Sequence, residues 1–494
     1  MKDIFKEKFL RIEDLFEFIK AKEKVKLEEE DLERVKRCRI FLEKKINKDN
    51  TLYYGINTGF GSLCDVRISE KKLEELQENL LLSHSCGVGE PVPLEIVRIM
   101  LLLKILSLIK GYSGVRPDVI NLLTELYNRD ILPVVYDQGS LGSSGDLAPL
   151  AHLSLPLIGK GKVYYKNQIT ESLYALNSEN LQPIKLKAKE GLALINGTQF
   201  SLAYATYIIY QVHKLFDLYL TISALSYDAF MCRKEPLFLS IHRIRPHKGQ
   251  IYVAKRLAEL LSSSEIFATA KKHVQDPYSF RCIPQVLGPI KDTLDFLKEI
   301  IEIEINSVTD NPLIFEEENN ILTGGNFHGE PIALAMDYLS ICLTEMANIS
   351  ERRIYQLISG KRNLPVYLIK DSGLNSGFMI AQYVAASIVG EMRSLSAPLS
   401  VHTIDTSLGQ EDHVSFSASA AVRTFKQVQN LIKVLAIELL IAAQAIEFRK
   451  PLSTSSDLQK ILNDYRKEIP FITNDCLIYE LIEKSICYIK KQLF

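Results

Sequence analysis

The chain has 494 residues, 47% of them hydrophobic and 24% charged, the balance of a globular protein long enough to bury a large core without crosslinks. Its 59 Lys plus Arg against 60 Asp plus Glu leave a formal net charge of −1, which gives no electrostatic reason to expect nucleic acid or a membrane surface as a partner. Eight scattered cysteines show no CxxC spacing, and the start Met1-Lys2-Asp3-Ile4-Phe5-Lys6 lacks the apolar core of a signal peptide, so the expectation is free thiols in a reducing cytoplasm.

Residues 1–50 are charged and helix-periodic, with Leu32, Val35, Ile40 and Leu42 recurring among Lys and Glu. A loop follows at 54–64, punctuated by Gly55, Gly59 and Gly61. Helical patterning returns over 70–110, interrupted between Gly87 and Pro93. The stretch 133–149 is rich in Gly and Ser and leads into an apolar helix, and 162–170 reads as short strand. From about 191 onward long helices dominate, among them 201–230, 251–261, 286–308, 331–359 and 422–448. The last carries Phe425, Val428, Leu431, Ile432, Leu435, Leu439 and Ala442 on one face. The greasy runs 99–109, broken by Lys104, and 434–446, broken by Glu438 and Gln444, are too short and interrupted to span a bilayer and read as buried helices.

The fold class is therefore mainly α with little strand: a long helical bundle with a smaller N-terminal mixed region. The expected domains are 1–195, with the two Gly-rich loops, and 196–494, a long-helix bundle that completes the site. The polar loops 274–288, 305–312, 323–331, 371–378 and 402–415 lie between the long helices, where a site is expected.

The most informative stretch is Gly139-Ser140-Leu141-Gly142-Ser143-Ser144-Gly145-Asp146-Leu147-Ala148-Pro149-Leu150. An arbitrary Ser/Gly turn of this kind simply caps the next helix. Neither a GxSxG elbow nor a GxxxxGK[ST] phosphate loop fits it. A different chemistry is open to it. The Gly145 nitrogen, unhindered by a side chain, can attack the Ser143 carbonyl and close a five-membered ring with loss of water. Dehydration of Ser144 then leaves an exocyclic methylene, a Michael acceptor that no ordinary side chain supplies.

This loop resembles the signature of the aromatic amino acid ammonia-lyases, in which the tripeptide matures into 4-methylidene-imidazol-5-one. The resemblance runs along nearly the whole chain, through Tyr54–Gly61, Leu82-Ser83-His84, Asn196-Gly197-Thr198, Gln275–Arg281, Asp310-Asn311-Pro312, Gly324–His328 and Gln410–His413. It implies that the amine of the substrate adds to the methylene of Ser144, that Tyr54 takes the β-proton, and that Arg281 clamps the carboxylate. It also implies hydrogen bonds from Asn196 and Tyr278 near the new ring and the substrate, active-site positions for Gln275 and Phe327, and loop shaping by Gly142 and Asp146.

Ser83-His84 resembles the histidine-acting members, and Glu411 can accept a hydrogen bond from an imidazole N–H, which a phenyl ring lacks. The activity so implied is deamination of L-histidine to trans-urocanate. Alternatives are a phenylalanine or tyrosine lyase, a 2,3-aminomutase, or a helical scaffold that has lost its chemistry. Retention of Tyr54, Ser144, Gly145, Asn196, Tyr278 and Arg281 together argues against the last.

Ser143 stands where Ala is common, and 390–393 and 400–409 depart from the usual pattern. His242, His247, His328, His402, Asp405, Glu411, Asp412 and His413 show no HExxH or tight ligand spacing, so no metal site is expected. The resemblance further implies a homotetramer with sites shared between subunits.

Overall fold

The computed structural model describes residues 4, 7–48 and 51–493. The helical stretch expected over 1–50 reaches beyond these residues, and within them it divides into Ile12–Lys20 and Glu29–Lys48. On the second helix Val35, Cys38 and Leu42 are buried, whereas Ile40 is half exposed. Positions 35, 38 and 42 share one face of a 3.6-residue period and position 40 does not.

The chain groups into two compact units. The first comprises Met1–Tyr207, Glu299–Asp337 and Pro398–Val422; the second comprises Ile208–Lys298, Tyr338–Ala397 and Arg423–Phe494. The sequence reading instead divides the chain once, between 195 and 196. Four of the five unit boundaries fall inside the helices Gln199–Ala229, Ile283–Ile305, Glu330–Ile358 and Ser417–Glu447, where composition gives no signal, and the fifth falls in the loop at Ala397-Pro398.

In the first unit, Leu73–His84, Leu94–Leu108, Pro117–Asn128 and Leu147–Ser154 pack around an apolar core. Leu94–Leu108 is buried on almost every face, which explains why its sequence shows little amphipathicity. Among the described residues every named strand lies in this unit. Val88–Pro91 pairs antiparallel with Tyr136–Gln138, and Leu313–Phe315 with Asn320–Leu322. Lys162–Tyr165 pairs with both Leu132–Pro133 and Gln168–Glu171. The last hairpin turns through Lys166 and Asn167, both at positive φ, the two-residue turn that matches strand twist.

The second unit is helical. Lys248–Leu261, Met379–Leu395, Ser456–Tyr465 and Ile478–Leu493 join the second-unit portions of the longer helices. The stripe expected on the last long helix is buried from Val428 to Ala442. The helices Glu330–Ile358 and Ser417–Glu447 are long and apolar enough to cross a membrane, but most of each apolar window is buried within the protein.

One buried ion pair organises this core. The Arg353 guanidinium donates to both Glu438 carboxylate oxygens, Nε at 2.6 Å and Nη2 at 2.8 Å, and Nη2 also reaches the Tyr219 hydroxyl at 2.9 Å. The Ser226 hydroxyl donates to Glu438 at 2.7 Å, and Ser350 donates to its other oxygen. Removing one partner strands a desolvated charge. Arg353→Met is therefore expected to cost about 3–5 kcal/mol in urea denaturation, with joint apolar replacement of Arg353 and Glu438 costing less than the single change.

Candidate active site

The Ser-Ser-Gly loop is built from backbone constraints. The segments around Gly145 and Gly197 run side by side as a parallel bridge, and the Asp146 N–H donates to the Gly197 carbonyl at 2.8 Å. Gly145 has φ of +76°, and a Cβ there would lie 2.2 Å from the Gly197 oxygen. Only glycine permits both the conformation and the approach. The far side of the loop is tied down by the Phe416 N–H to the Leu141 carbonyl at 2.8 Å and by the Ser415 hydroxyl to the Gly142 carbonyl at 3.2 Å.

Asp146, fully buried, lies directly after the tripeptide. Its Oδ2 accepts the backbone N–H groups of Phe200 at 3.1 Å and Ser201 at 2.8 Å, and the Ser201 hydroxyl at 2.9 Å. The carboxylate thus caps the helix Gln199–Ala229 from outside, where the helix dipole favours negative charge. Burial pushes its pKa up to about 6, against the pull of the Ser201 and Phe200 donors and of Lys104.

Lys104 is buried too, and its ammonium donates to the carbonyls of Ala193 at 3.2 Å and Asn196 at 2.9 Å, at the end of the helix Glu190–Ile195. Burial brings it down to about 7, against Asp310 and Asp146. Sequence reasoning passed over Lys104 as an interruption in a greasy run. A lone cation inside an otherwise apolar buried helix was the available signal. The anchored Asn196 places its side-chain Nδ2 2.9 Å from the Ser144 carbonyl. Its Oδ1 is buried without a partner.

Two cavities open on Ser144. One, of about 490 Å³, is lined by Tyr54, Ser83, His84, Ser407 and Glu411 together with apolar residues including Phe60, Leu80 and Leu147. The other, of about 500 Å³, is lined by Tyr54, Ser143, Phe327, His328 and Glu411 among others. All lining residues of both belong to the first unit. The structure therefore brings together Tyr54, His84, Ser143, Ser144, Phe327 and Glu411, residues far apart in sequence.

The turn that carries Tyr54 is shaped by Asn57, whose side chain accepts from the Tyr53 N–H at 2.7 Å and donates to the Thr51 carbonyl at 2.9 Å. The Tyr54 hydroxyl accepts the Gly61 N–H at 3.2 Å. Burial raises its pKa and the Gly61 donor lowers it, with Glu411 and Cys64 adding to the rise. His84 pairs its Nδ1 with the Ser83 hydroxyl at 3.0 Å. Burial lowers its pKa, against the Leu80 carbonyl and Glu411, which favours the neutral ring. Glu411 is held by the Thr406 hydroxyl at 3.0 Å, across a two-way backbone bridge between the same residues.

Gln275, Tyr278 and Arg281 belong to the second unit and form a cluster of their own. The Arg281 guanidinium donates to the Gln275 side-chain oxygen and lies 4.6 Å from the centre of the Tyr278 ring. Tyr278 is 70% exposed and Val274 89%. Among the described residues no group of three His, Cys, Asp or Glu side chains is placed to hold a metal.

A mainly helical scaffold holds a Ser-Ser-Gly loop against buried Asp146 and Asn196. The chain belongs to the aromatic amino acid lyase family, whose profile matches residues 10–467. It is 44% identical to a histidine ammonia-lyase of Myxococcus xanthus over 478 residues, 96% of this chain and 94% of the relative. The crystal structure of histidine ammonia-lyase from Trypanosoma cruzi matches with a TM-score of 0.90 at 37% identity, covering 98% of this chain and 93% of the other. The Pantoea agglomerans phenylalanine aminomutase matches with a TM-score of 0.93 at 33% identity, covering 97% of both.

The packing of Gly145 gives a direct check. Gly145→Ala forces the backbone off Gly197 or the residue off its positive φ, and is expected to lose at least about 1–3 kcal/mol in thermal unfolding.

Proposed function

We propose that the chain eliminates ammonia from L-histidine to give trans-urocanate. The observation that carries this reading is the cavity in which Tyr54, Ser144, His84 and Glu411 converge. The comparisons support it: identity is higher to the histidine ammonia-lyases than to the aminomutase, although the aminomutase matches the fold as well.

The residues present fit the group that the family implies. Gly145 lies in a cradle that a Cβ would fill, and the buried Asn196 Oδ1 has no partner. When formed from Ser143-Ser144-Gly145, 4-methylidene-imidazol-5-one supplies an electrophilic methylene that turns the substrate's amine into a better leaving group. Asn196 donates to the Ser144 carbonyl, which acidifies the neighbouring Cα–H that Ser144 must lose on dehydration. Gly142 and Asp146 hold the loop in shape.

Tyr54 takes the β-proton of the substrate. Its hydroxyl must be ionised to do so, and burial holds it protonated at neutral pH. The kcat/KM for L-histidine is accordingly expected to climb from neutral pH upward without levelling off below about pH 10, the ordinary tyrosine value that burial raises. Neutral His84 and the Glu411 carboxylate bind the two nitrogens of the substrate imidazole, a pairing that phenylalanine and tyrosine cannot reproduce. Phe327 and Ser143 wall the neighbouring cavity.

Arg281 clamps the substrate carboxylate through its planar fork, steadied by Gln275 and Tyr278. The exposure of Tyr278 and Val274 favours a cluster that completes the site of another copy in a homotetramer. Helix Glu330–Ile358 supports such assembly, since Leu334, Tyr338 and Ile341 project exposed from one face. All eight cysteines carry free thiols, which suits the cytoplasm.

The deciding experiment follows urocanate absorbance with L-histidine, L-tyrosine and L-phenylalanine in parallel, and intact mass for the loss of two waters. Urocanate from histidine alone is expected; none at any pH sinks the assignment. Ser144→Ala is expected to keep its fold and lose at least roughly 1,000-fold in kcat. Glu411→Ala is expected to lose about 1.5–3 kcal/mol of transition-state binding, roughly 10- to 100-fold in kcat/KM for histidine. Light scattering of the pure protein is expected to give a tetramer, and an active monomer overturns the shared site.

A further inference from the structure

The Gly61–Leu63 turn is a single 3₁₀ turn, so its leading N–H groups have no partner within it. Two of them have distinct acceptors. The Gly61 N–H donates to the Tyr54 hydroxyl at 3.2 Å, and the Ser62 N–H donates to the Ser407 hydroxyl oxygen at 3.2 Å. The approach is close, because a Cβ on Gly61 would lie 2.5 Å from that same oxygen. Ser407 thus grips the peptide adjacent to the one that serves the Tyr54 hydroxyl.

The segment presenting Ser407 is strained. Ser407 has φ of +52°, Leu408 +55° and Gly409 +85°, a left-handed run that two side-chain-bearing residues rarely share. Leu408 is 95% exposed, so packing of its side chain does not hold the run in place. The Thr406–Glu411 bridge closes the loop at its base, through Thr406 N–H to the Glu411 carbonyl at 3.0 Å and Glu411 N–H to the Thr406 carbonyl at 3.2 Å. The same closure positions Glu411, and Ser407 lines the cavity shared with Tyr54 and Ser144.

We propose that Ser407 is a positioning residue for Tyr54, a clasp that joins the loop carrying the proton acceptor to the loop carrying Glu411. The inference rests on the reading of Tyr54 as the base. The hydroxyl of Ser407 fixes the Gly61-Ser62 peptide, and the fixed Gly61 N–H stabilises the ionised Tyr54. Three groups border the Tyr54 hydroxyl electrostatically or across the cavity: Glu411 from the partner loop, Cys64 from its own loop and His84 from the helix Leu73–His84. Glu411 and Cys64 both disfavour ionisation, so the Gly61 donor is what opposes them.

The test uses the full-length assembled protein with Ser407→Ala, Ser407→Gly and Ser407→Asn. Ala and Gly remove the acceptor, and Gly also relieves the strain. Asn tolerates the left-handed backbone and returns a side-chain oxygen. Ala and Gly are expected to lower kcat by about ten-fold and to move the acid limb of the kcat–pH profile to higher pH, with Asn recovering much of both. KM for histidine should change little, and intact mass should still lack two waters. Hydrogen exchange over residues 55–64 should quicken in Ala and Gly. An unchanged pH profile and unchanged exchange in both variants would falsify the clasp. The wild type separates the two ideas. If it keeps its full mass and makes no urocanate, the reading of Tyr54 as a base fails on its own, while exchange over 55–64 still judges whether Ser407 holds the turn.

Discussion

The capping of the helix Gln199–Ala229 by the Asp146 carboxylate is the interaction on which the Ser-Ser-Gly loop depends. A buried carboxylate is costly unless its oxygens are fully engaged, and here one oxygen takes three donors from the helix start. The position is fixed because Asp146 is the residue immediately after the tripeptide and Asn196 lies three residues before the first helical position. A single carboxylate therefore brings the two strands of the loop region into register, and the Gly145–Gly197 bridge follows from that register. A Cβ on Gly145 would break it, so that glycine is a consequence of the cap, while Gly197 is held to glycine by its positive φ and by the Gln199 and Thr309 side chains.

Lys104 complements this arrangement. The cation lies at the C-terminal end of the helix Glu190–Ile195, where carbonyls are unsatisfied and the dipole is negative. Asp146 at one helix start and Lys104 at another helix end bracket Asn196 between opposite buried charges. Each favours the ionised form of the other against the burial that opposes it. A rigid Asn196 results, and rigidity is what a group that polarises the Ser144 carbonyl requires.

Much of this was legible in sequence for identifiable reasons. The long helices announce themselves by period, and the stripe from Val428 to Ala442 is buried as its spacing dictates. The loop 139–150 is legible because the family it marks carries particular residue types there in a fixed order. Lys104 was illegible as a function because periodicity reports burial, and a buried cation shows only as a flaw in the pattern. The division into units was illegible because four of its five boundaries fall within continuous helices, and only the one at Ala397-Pro398 lies in a loop. Ser407 was invisible for a third reason: its role is set by a left-handed backbone run that side-chain chemistry does not encode.

The departures from the family pattern separate into two kinds once placed in the structure. Arg393 is exposed on the helix Met379–Leu395, and its guanidinium donates twice to the Asn348 side-chain oxygen, at 3.0 and 2.8 Å. Neighbouring Glu391 is engaged by Lys426 and by Asn430. These contacts lie within the second unit, so the 390–393 departure is answered by local pairing on that unit's helices. Ser143 and the 400–409 run differ in kind, because Ser143, Ser407 and Glu411 border the cavities that open on Ser144. A hydroxymethyl at 143 adds a hydrogen-bonding group to the cavity that Phe327, His328 and Glu411 also line, whereas His84 lines the other cavity. Changes to Ser143 thus act on the cavity that lacks His84, while Glu411, held by Thr406 within the departing run, borders both cavities and His84 is paired with Ser83.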